Sequence, residues 1–215
     1  MNDFHNCMFL CLNSKSKNLF TGLGIKCNYY DITNKFNVPR DVTNNHREFN
    51  GFAHLCMICD FYYNSSNTYG IFCENDTLIH KDIQTTLPKI LLDFNILQLD
   101  ILILGYATHF VVNESMEKYG FSFKREITTE TKYTYHNYPD NLKGTQMYIL
   151  SRKYAKYILD KYYEGYINDT FIDNTGQPFT GTEFIITHNG NRALISPTIA
   201  CVNAGMNTGI NTDFV

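Results

Sequence analysis

Three short apolar runs, each followed by polar residues, constrain the fold of this chain more than any other feature. They are Cys7–Leu12, Tyr69–Cys73 and Leu99–Leu104. A continuous apolar run of this length that stops at a polar loop is typical of a strand buried on both faces, as in a parallel sheet covered by helices. Leu99–Leu104 is strongly apolar, and we expect it in the middle of the sheet. The runs therefore predict an α/β fold with a central, mostly parallel sheet flanked by helices.

Helical and further strand patterns separate these runs. The predicted helices are Phe52–Tyr63, Leu87–Phe94 with Asp82 or Thr86 as its cap and Pro88 in its first turn, and Arg152–Tyr163 with Ser151 as its N-cap. The further predicted strands are Ile25–Tyr30, Lys132–Tyr135 and Leu142–Leu150, and residues 34–50 are expected to form a polar loop. Because no internal repeat or low-complexity linker interrupts the pattern, we expect a single domain.

The composition is that of a globular protein and excludes several classes. Hydrophobic residues make up 44% of the 215 residues and charged residues 18%. The formal net charge of −3 and the pI near 6.1 give no electrostatic basis for binding nucleic acid or an anionic membrane. No run approaches the length of a membrane span. Most of the seven cysteines lie in apolar runs, which favours reduced thiols and a cytoplasmic location.

An acidic triplet, Glu74-Asn75-Asp76, directly follows the run Tyr69–Cys73. Side chains alternate along a strand, so Glu74 and Asp76 would share one side if the strand continued, and they would stay close if it turned. Carboxylate oxygens of this kind suit Mg²⁺ or Mn²⁺, which retain water and phosphate ligands of their own. The triplet therefore suggests a metal site for a phosphorylated substrate, with a solvated turn as the alternative.

Other polar residues follow the first two predicted strands. In open α/β sheets, ligands bind outside the carboxyl ends of the strands. Leu12 and Asn13 end the first run, Lys15 lies in the charged loop after it, and Asp31 ends the second predicted strand. These residues are therefore candidates to line a nucleotide crevice, where Asp31 could bind a ribose or a base edge; a simple turn at Asp31 is equally compatible with the sequence.

Two features of the predicted helix 52–63 invite a functional interpretation. Cys56-x-x-Cys59 resembles a redox or zinc motif, but no second pair follows at zinc spacing, so we interpret both as core cysteines. His54 has two open interpretations, as a packed core residue or as a residue lining the ligand pocket.

Four segments, in this order, resemble glycosyltransferase family 25, whose members build lipopolysaccharide and modify collagen. Phe9-Leu-Cys-Leu-Asn13 is similar to the family's opening strand and charged loop. Ile71-Phe-Cys-Glu-Asn-Asp76 resembles its version of the aspartate-x-aspartate motif, and Leu99-Asp-Ile-Leu-Ile-Leu-Gly105 resembles its next strand. Gly144-Thr-Gln-Met-Tyr-Ile-Leu-Ser-Arg-Lys-Tyr-Ala155 is similar to a block with characteristic Gly-Thr, Tyr, Ser and Ala residues. This last match is the most specific.

The resemblance implies a GT-A fold and transfer of a sugar from a nucleotide donor, expected to be a UDP-sugar, to a glycan or glycoprotein acceptor. It implies Mn²⁺ or Mg²⁺ bridging the donor diphosphate. Residues 1–215 would form one catalytic domain, with the nucleotide-binding half at about 1–110 and the acceptor side at about 111–215. The Trp-free sequence, rich in Asn, Ile and Tyr, also resembles glycosyltransferases of large algal viruses, which glycosylate their own capsid proteins; the location would then be the host cytoplasm.

The resemblance also implies roles for single residues. Asp76 would be the first metal ligand and Glu74 the second, with Asn75 beside the donor, and His188 in a late turn could supply a third ligand or be a plain loop histidine. Glu183 or Asp173 could act as base if the enzyme inverts. Gly144 and Thr145 would let a sugar approach the backbone closely, with tight strand packing as the alternative. The sequence departs from the family pattern at Glu74 and Asn75, and Glu183 is only the nearest counterpart of a later acidic motif.

Two other classes of function stay open from the sequence. A metal-dependent phosphoesterase would use the same carboxylates, although such enzymes usually have a denser cluster of His and Asp. A non-catalytic carbohydrate-binding protein would use exposed tyrosines to stack on sugars.

Overall fold

The computed structural model describes residues 6–12, 17–30, 46–105, 133–137, 144–163 and 182–202. The strands in this part of the chain are β1 (Cys7–Leu12), β2 (Cys27–Tyr30), β3 (Tyr69–Cys73), β4 (Thr77–Ile79), β5 (Ile101–Gly105), β6 (Thr134–Asn137), β7 (Met147–Ser151), β8 (Arg192–Ser196) and β9 (Ala200–Val202). The helices are α1 (Lys17–Gly22), α2 (His46–Asn64), α3 (Ile83–Ile96), α4 (Arg152–Ile158), which continues as a π-helical turn over Leu159–Tyr163, and α5 (Thr182–Thr187).

Seven of these strands form one mixed, mostly parallel sheet in the order β2-β1-β3-β7-β5-β8-β6. Strands β1, β2, β3, β5 and β8 run in one direction, while β7 and β6 are antiparallel to their neighbours. The predicted α/β fold is therefore confirmed, and β5 lies inside the sheet as expected. Strands β4 and β9 form a separate two-stranded antiparallel sheet.

The sheet separates two hydrophobic cores, and alternate residues of each strand contribute to one or the other. Leu10 and Leu12 of β1 pack with helices α2, α4 and α5, whereas Phe9 and Cys11 pack with α1, α3 and the small sheet. Because both faces of the sheet are covered, its inner strands are apolar at every position, which is why they are visible in the sequence as continuous apolar runs.

Helix α2 begins earlier than predicted, and α3 begins after Asp82, the earlier of its two predicted caps. Helix α2 starts at His46, inside the segment expected to be a polar loop, and α3 starts at Ile83 with Asp82 at its N-cap position. Pro88 consequently lies inside α3 and not in its first turn. The cap is weak, since the Asp82 side chain makes no capping hydrogen bond. By contrast, the predicted N-cap at Ser151 is confirmed, because its hydroxyl accepts a hydrogen bond from the Tyr154 backbone N–H at 3.1 Å.

Within the described residues, no helix combines the length and the apolar character that crossing a membrane requires.

Candidate functional site

The strand order reverses at the junction of β1 and β3. From β1 the chain first adds β2 on one side and then returns to place β3 on the other side. Helix α1 covers one face of the sheet at this point and α2 covers the opposite face. In open α/β sheets, the crevice outside the carboxyl ends of two such strands is where ligands bind. Here those ends are Leu12 of β1 and Cys73 of β3, and Glu74 follows directly.

The acidic triplet forms a fixed turn between β3 and β4. The Glu74 backbone N–H donates to the Gln146 carbonyl at 2.8 Å, and the Thr77 hydroxyl donates to the same carbonyl at 3.0 Å. The strand therefore ends before Asn75 and Asp76, whose side chains are exposed in the turn, while Glu74 is partly buried. Both sequence interpretations hold in part: the triplet is a turn, and it stands at the carboxyl end of a strand beside the point of reversal.

The Glu74 carboxylate is held by the segment that precedes β7. The Thr145 hydroxyl donates to Glu74 Oε1 at 3.1 Å, although the two residues are 71 positions apart in the chain. Gly144, just before it, has φ of 108°, a conformation that residues with a Cβ rarely adopt. Because β7 runs antiparallel to β3, its beginning lies next to the end of β3. The Gly-Thr segment and the acidic triplet, both singled out in the sequence, thus meet at one site.

His54 of α2 lies beneath this carboxylate. Its side chain is 1% exposed, and its Nε2 atom is 3.9 Å from Glu74 Oε1. Its Nδ1 atom forms a 2.6 Å hydrogen bond with the Tyr148 hydroxyl, and the two rings stack with centroids 5.6 Å apart. Burial lowers the pKa of His54 to about 3, so its imidazole is neutral at physiological pH. His54 is therefore a packed core residue, as the first interpretation has it, and its Nε2 atom also faces Glu74 at the candidate site.

Tyr148 was not among the predicted site residues. It is fully buried and stacks between His54 and Phe72, whose ring centroid lies 5.0 Å away. Burial and the charge of Glu74 raise the pKa of its phenol well above the ordinary value, so it remains protonated. The sequence feature that could have identified Tyr148 as a site residue was its place in the Gly-Thr block, two residues beyond Gln146.

His188 is not brought to the acidic triplet. It is exposed in the turn that precedes β8, three residues before Asn191, whose carbonyl accepts a hydrogen bond from the backbone N–H of Asp100 before β5. Strands β3, β5 and β8 are parallel, so this turn lies at the amino edge of the sheet and Glu74 at the carboxyl edge. Five-residue strands at about 3.3 Å per residue separate the two edges by roughly 15 Å.

The remaining predicted site residues fall partly outside the described part of the chain. Asn13, Lys15, Asp31 and Asp173 are outside it. Glu183 lies on α5, but its side chain is not among those described. Leu12 is 7% exposed at the end of β1 and packs in the core, and its side chain has no polar atom to offer a ligand.

The donor set at the triplet consists of oxygen atoms. Within the described ranges, no group of three or more His, Cys, Asp or Glu side chains is arranged to hold a metal ion. Glu74 and Asp76 can supply two carboxylates at most, which fits a cation such as Mg²⁺ or Mn²⁺ that keeps water and substrate phosphate ligands. It does not fit a closed tetrahedral zinc site, which requires four protein ligands.

The cysteines of the described segments are all free thiols. Cys56 is buried in the core, and burial raises its pKa to about 12; the pKa of Cys59 is raised for the same reason. A raised pKa disfavours the thiolate, which is the form required for redox chemistry and zinc binding. These values agree with the interpretation of Cys56 and Cys59 as core cysteines.

If Glu74 holds a metal ion, as the resemblance implies, removing the Thr145 hydroxyl is expected to weaken metal-dependent nucleotide binding about tenfold, because residues that orient a ligating carboxylate commonly contribute 10- to 100-fold to metal affinity. Thr145→Val keeps the shape of this buried side chain, and Thr145→Ser, which keeps the hydroxyl, is the matched control. Isothermal titration of UDP in the presence of Mn²⁺ measures the difference. Equal affinities for the two variants would show that the hydrogen bond to Glu74 has no such role.

Comparison with known proteins found similarity to solved structures. No family model matches the chain, and no curated protein matches it. The chain is similar to the crystal structure of A197 from STIV, with 13% identity over 91% of this chain and 83% of that one, and a TM-score of 0.47.

Proposed function

We propose that this protein is a metal-dependent glycosyltransferase of the GT-A type that transfers a sugar from a nucleotide donor, with a UDP-sugar as the expected donor. The observation that carries the proposal is the contact between Thr145 and Glu74. It joins the two segments with the most informative resemblance to glycosyltransferase family 25, at the carboxyl edge of the sheet and beside the reversal of strand order.

In this proposal Asp76 and Glu74 hold the cation, and the donor diphosphate completes its coordination. Asp76 is exposed in the turn and accessible to a cation bound in the crevice, whereas Glu74 is anchored by Thr145. When bound, Mn²⁺ or Mg²⁺ would neutralise the negative charge that develops on the diphosphate as the sugar leaves. The acceptor is a glycan or glycoprotein, and Glu183 or Asp173 stays the candidate base of an inverting reaction.

The chain itself supplies the features that such a site needs. The triplet turn is fixed by two hydrogen bonds to the Gln146 carbonyl, so its carboxylates are presented from a rigid support. Carboxylates that extend from an ordered turn require less rearrangement of the backbone on binding than carboxylates on an unsupported loop.

Binding of UDP is expected to require Mn²⁺, and this is the first test of the proposal. At a free UDP concentration about 100 times Kd, binding stabilises the fold by about 2.7 kcal/mol, which for a domain of this size raises the Tm by roughly 5–10 °C. A panel of nucleotide sugars with and without Mn²⁺ would identify the donor, and release of UDP with sugar transfer to an acceptor would establish the activity.

Binding and activity measurements with the same nucleotide sugars also distinguish the two other classes of function, a phosphoesterase and a carbohydrate-binding protein. Hydrolysis of phosphoesters without sugar transfer would indicate a phosphoesterase. Sugar binding without metal-dependent nucleotide binding would indicate a carbohydrate-binding protein, and either result would overturn the proposal.

A further inference from the structure

We propose that His54 is a positioning residue for Glu74: Tyr148 donates its phenolic O–H to Nδ1, and the opposite ring nitrogen, as Nε2–H, donates toward the Glu74 carboxylate. The three groups lie in a row, with 2.6 Å between the phenol oxygen and Nδ1 and 3.9 Å between Nε2 and Glu74 Oε1. The assignment of the tautomer follows from the hydrogen-bond partners available to each nitrogen.

A neutral imidazole carries one N–H, on either Nδ1 or Nε2. If the proton were on Nδ1, it would have to be donated to the Tyr148 oxygen, and the phenolic O–H would need another acceptor. Nε2 would then direct its lone pair at the nearby carboxylate, which is a repulsive contact. With the proton on Nε2, the phenol has an acceptor and the carboxylate faces a donor. The second arrangement satisfies both groups, and a buried polar group without a partner is costly.

The present distance of 3.9 Å is longer than a hydrogen bond, and Nε2 is a buried atom without a hydrogen-bond partner within the described segments. The imidazole has little freedom to move, because it is stacked on Tyr148, which is itself stacked on Phe72. Glu74 lies at the start of a turn and is 20% exposed, so it is the group that can move. A rotation of the Glu74 side chain would bring its carboxylate within hydrogen-bond distance of Nε2–H.

This arrangement gives Glu74 two donors from two different elements, Thr145 before β7 and His54 on α2. Donors of this kind fix the orientation of a ligating carboxylate and so contribute to metal affinity without touching the metal. The part of the inference that concerns metal affinity rests on the proposed function. The tautomer of His54 and the direction of its Nε2–H toward Glu74 do not depend on the proposed function.

The tautomer is tested directly on the unaltered protein. In ¹⁵N-histidine-labelled protein at neutral pH, two-bond ¹H–¹⁵N spectra distinguish a protonated ring nitrogen from an unprotonated one, and His54→Gln assigns the signal among the seven histidines. We expect a proton on Nε2 of His54. A ring protonated on Nδ1 alone would overturn the proposal. This measurement needs neither a metal nor a nucleotide, so it stands even if the protein proves not to be a glycosyltransferase.

The positioning role is tested by a matched pair of variants. The amide nitrogen of His54→Gln can replace the Nε2–H donor, whereas the amide of His54→Asn reaches only as far as Nδ1. We expect Mn²⁺-dependent UDP affinity within about threefold of the unaltered protein for His54→Gln and about tenfold weaker for His54→Asn. An equal loss of affinity in the Gln and Asn variants would contradict the proposal.

Discussion

Replacing Arg152 with Met is expected to lower the free energy of unfolding by about 2–4 kcal/mol, the largest effect on stability that we predict for a single side chain outside the apolar core. Arg152 is the first residue of α4, yet its guanidinium reaches the end of α2. It donates to the backbone carbonyls of Phe61, Tyr62, Ser65 and Asn67 and lies over the rings of Phe61 and Tyr62. The last carbonyls of a helix have no partner within the helix, and they lie at the negative end of its dipole.

Chemical denaturation measures this effect, with Lys153→Met as the matched control. Lys153 is the next residue of α4 and is exposed, so its replacement removes the same charge and should change stability by no more than about 0.5 kcal/mol. Arg152→Lys keeps the charge but not the planar set of donors, so we expect an intermediate loss. If the Met variants at 152 and 153 had the same denaturation midpoint, the guanidinium contacts at the end of α2 would contribute nothing.

The sequence predicted the central strands well because burial on both faces makes their apolar runs continuous. The strand Tyr69–Cys73 has the predicted bounds, and β1 matches its apolar run. The start of α2 was wrong because its polar first turn was interpreted as part of a loop, and the start of α3 had been left open between Asp82 and Thr86 as caps. At α3 the N-cap Asp82 makes no side-chain hydrogen bond, and Pro88 suggested a later start than the one the chain adopts. At Ser151, where the side chain makes the cap, the sequence predicted the N-cap without an alternative.

The site was predicted to the extent that it depends on strand order along the chain. A carboxylate directly after an apolar strand must lie at the carboxyl edge of a parallel sheet, and this placed Glu74 correctly. His188 shows the limit of that reasoning. His188 lies at the amino edge of the sheet because it precedes β8, which pairs in parallel with β5. The sequence contains no signal for that pairing. The same holds for Tyr148, whose contact with His54 joins two residues 94 positions apart.

The Gly-Thr block shows how one segment supports several parts of the molecule. Gly144 adopts a positive φ, Thr145 holds Glu74, and Tyr148 contacts His54. Ser151 caps α4, and Arg152 binds the end of α2. The residues that carry the family resemblance are thus partly structural. The contacts made by this block hold the fold together whichever substrate the protein binds.

Replacing Asp76 with Ala is expected to abolish metal-dependent UDP binding, which is the largest functional effect that we predict. Residues that only orient a ligating group change metal affinity by 10- to 100-fold, so loss of a ligand itself should weaken binding by about 100-fold or more. The Asp76 side chain is exposed in a turn, and its removal should leave the fold intact. Asp160→Ala removes an exposed carboxylate that is paired with Lys156 on the helical segment following β7, and it serves as the control for net charge.

Glu74→Gln tests the second ligand, because the amide oxygen can still accept a hydrogen bond from Thr145 while the negative charge is lost. We expect both Asp76→Ala and Glu74→Gln to lose Mn²⁺-dependent UDP binding in calorimetry and Asp160→Ala to retain it. Unchanged affinity in Asp76→Ala would exclude the triplet turn as the metal site, whereas loss in Glu74→Gln alone would identify the buried carboxylate, and not the exposed one, as the ligand on which the nucleotide site depends.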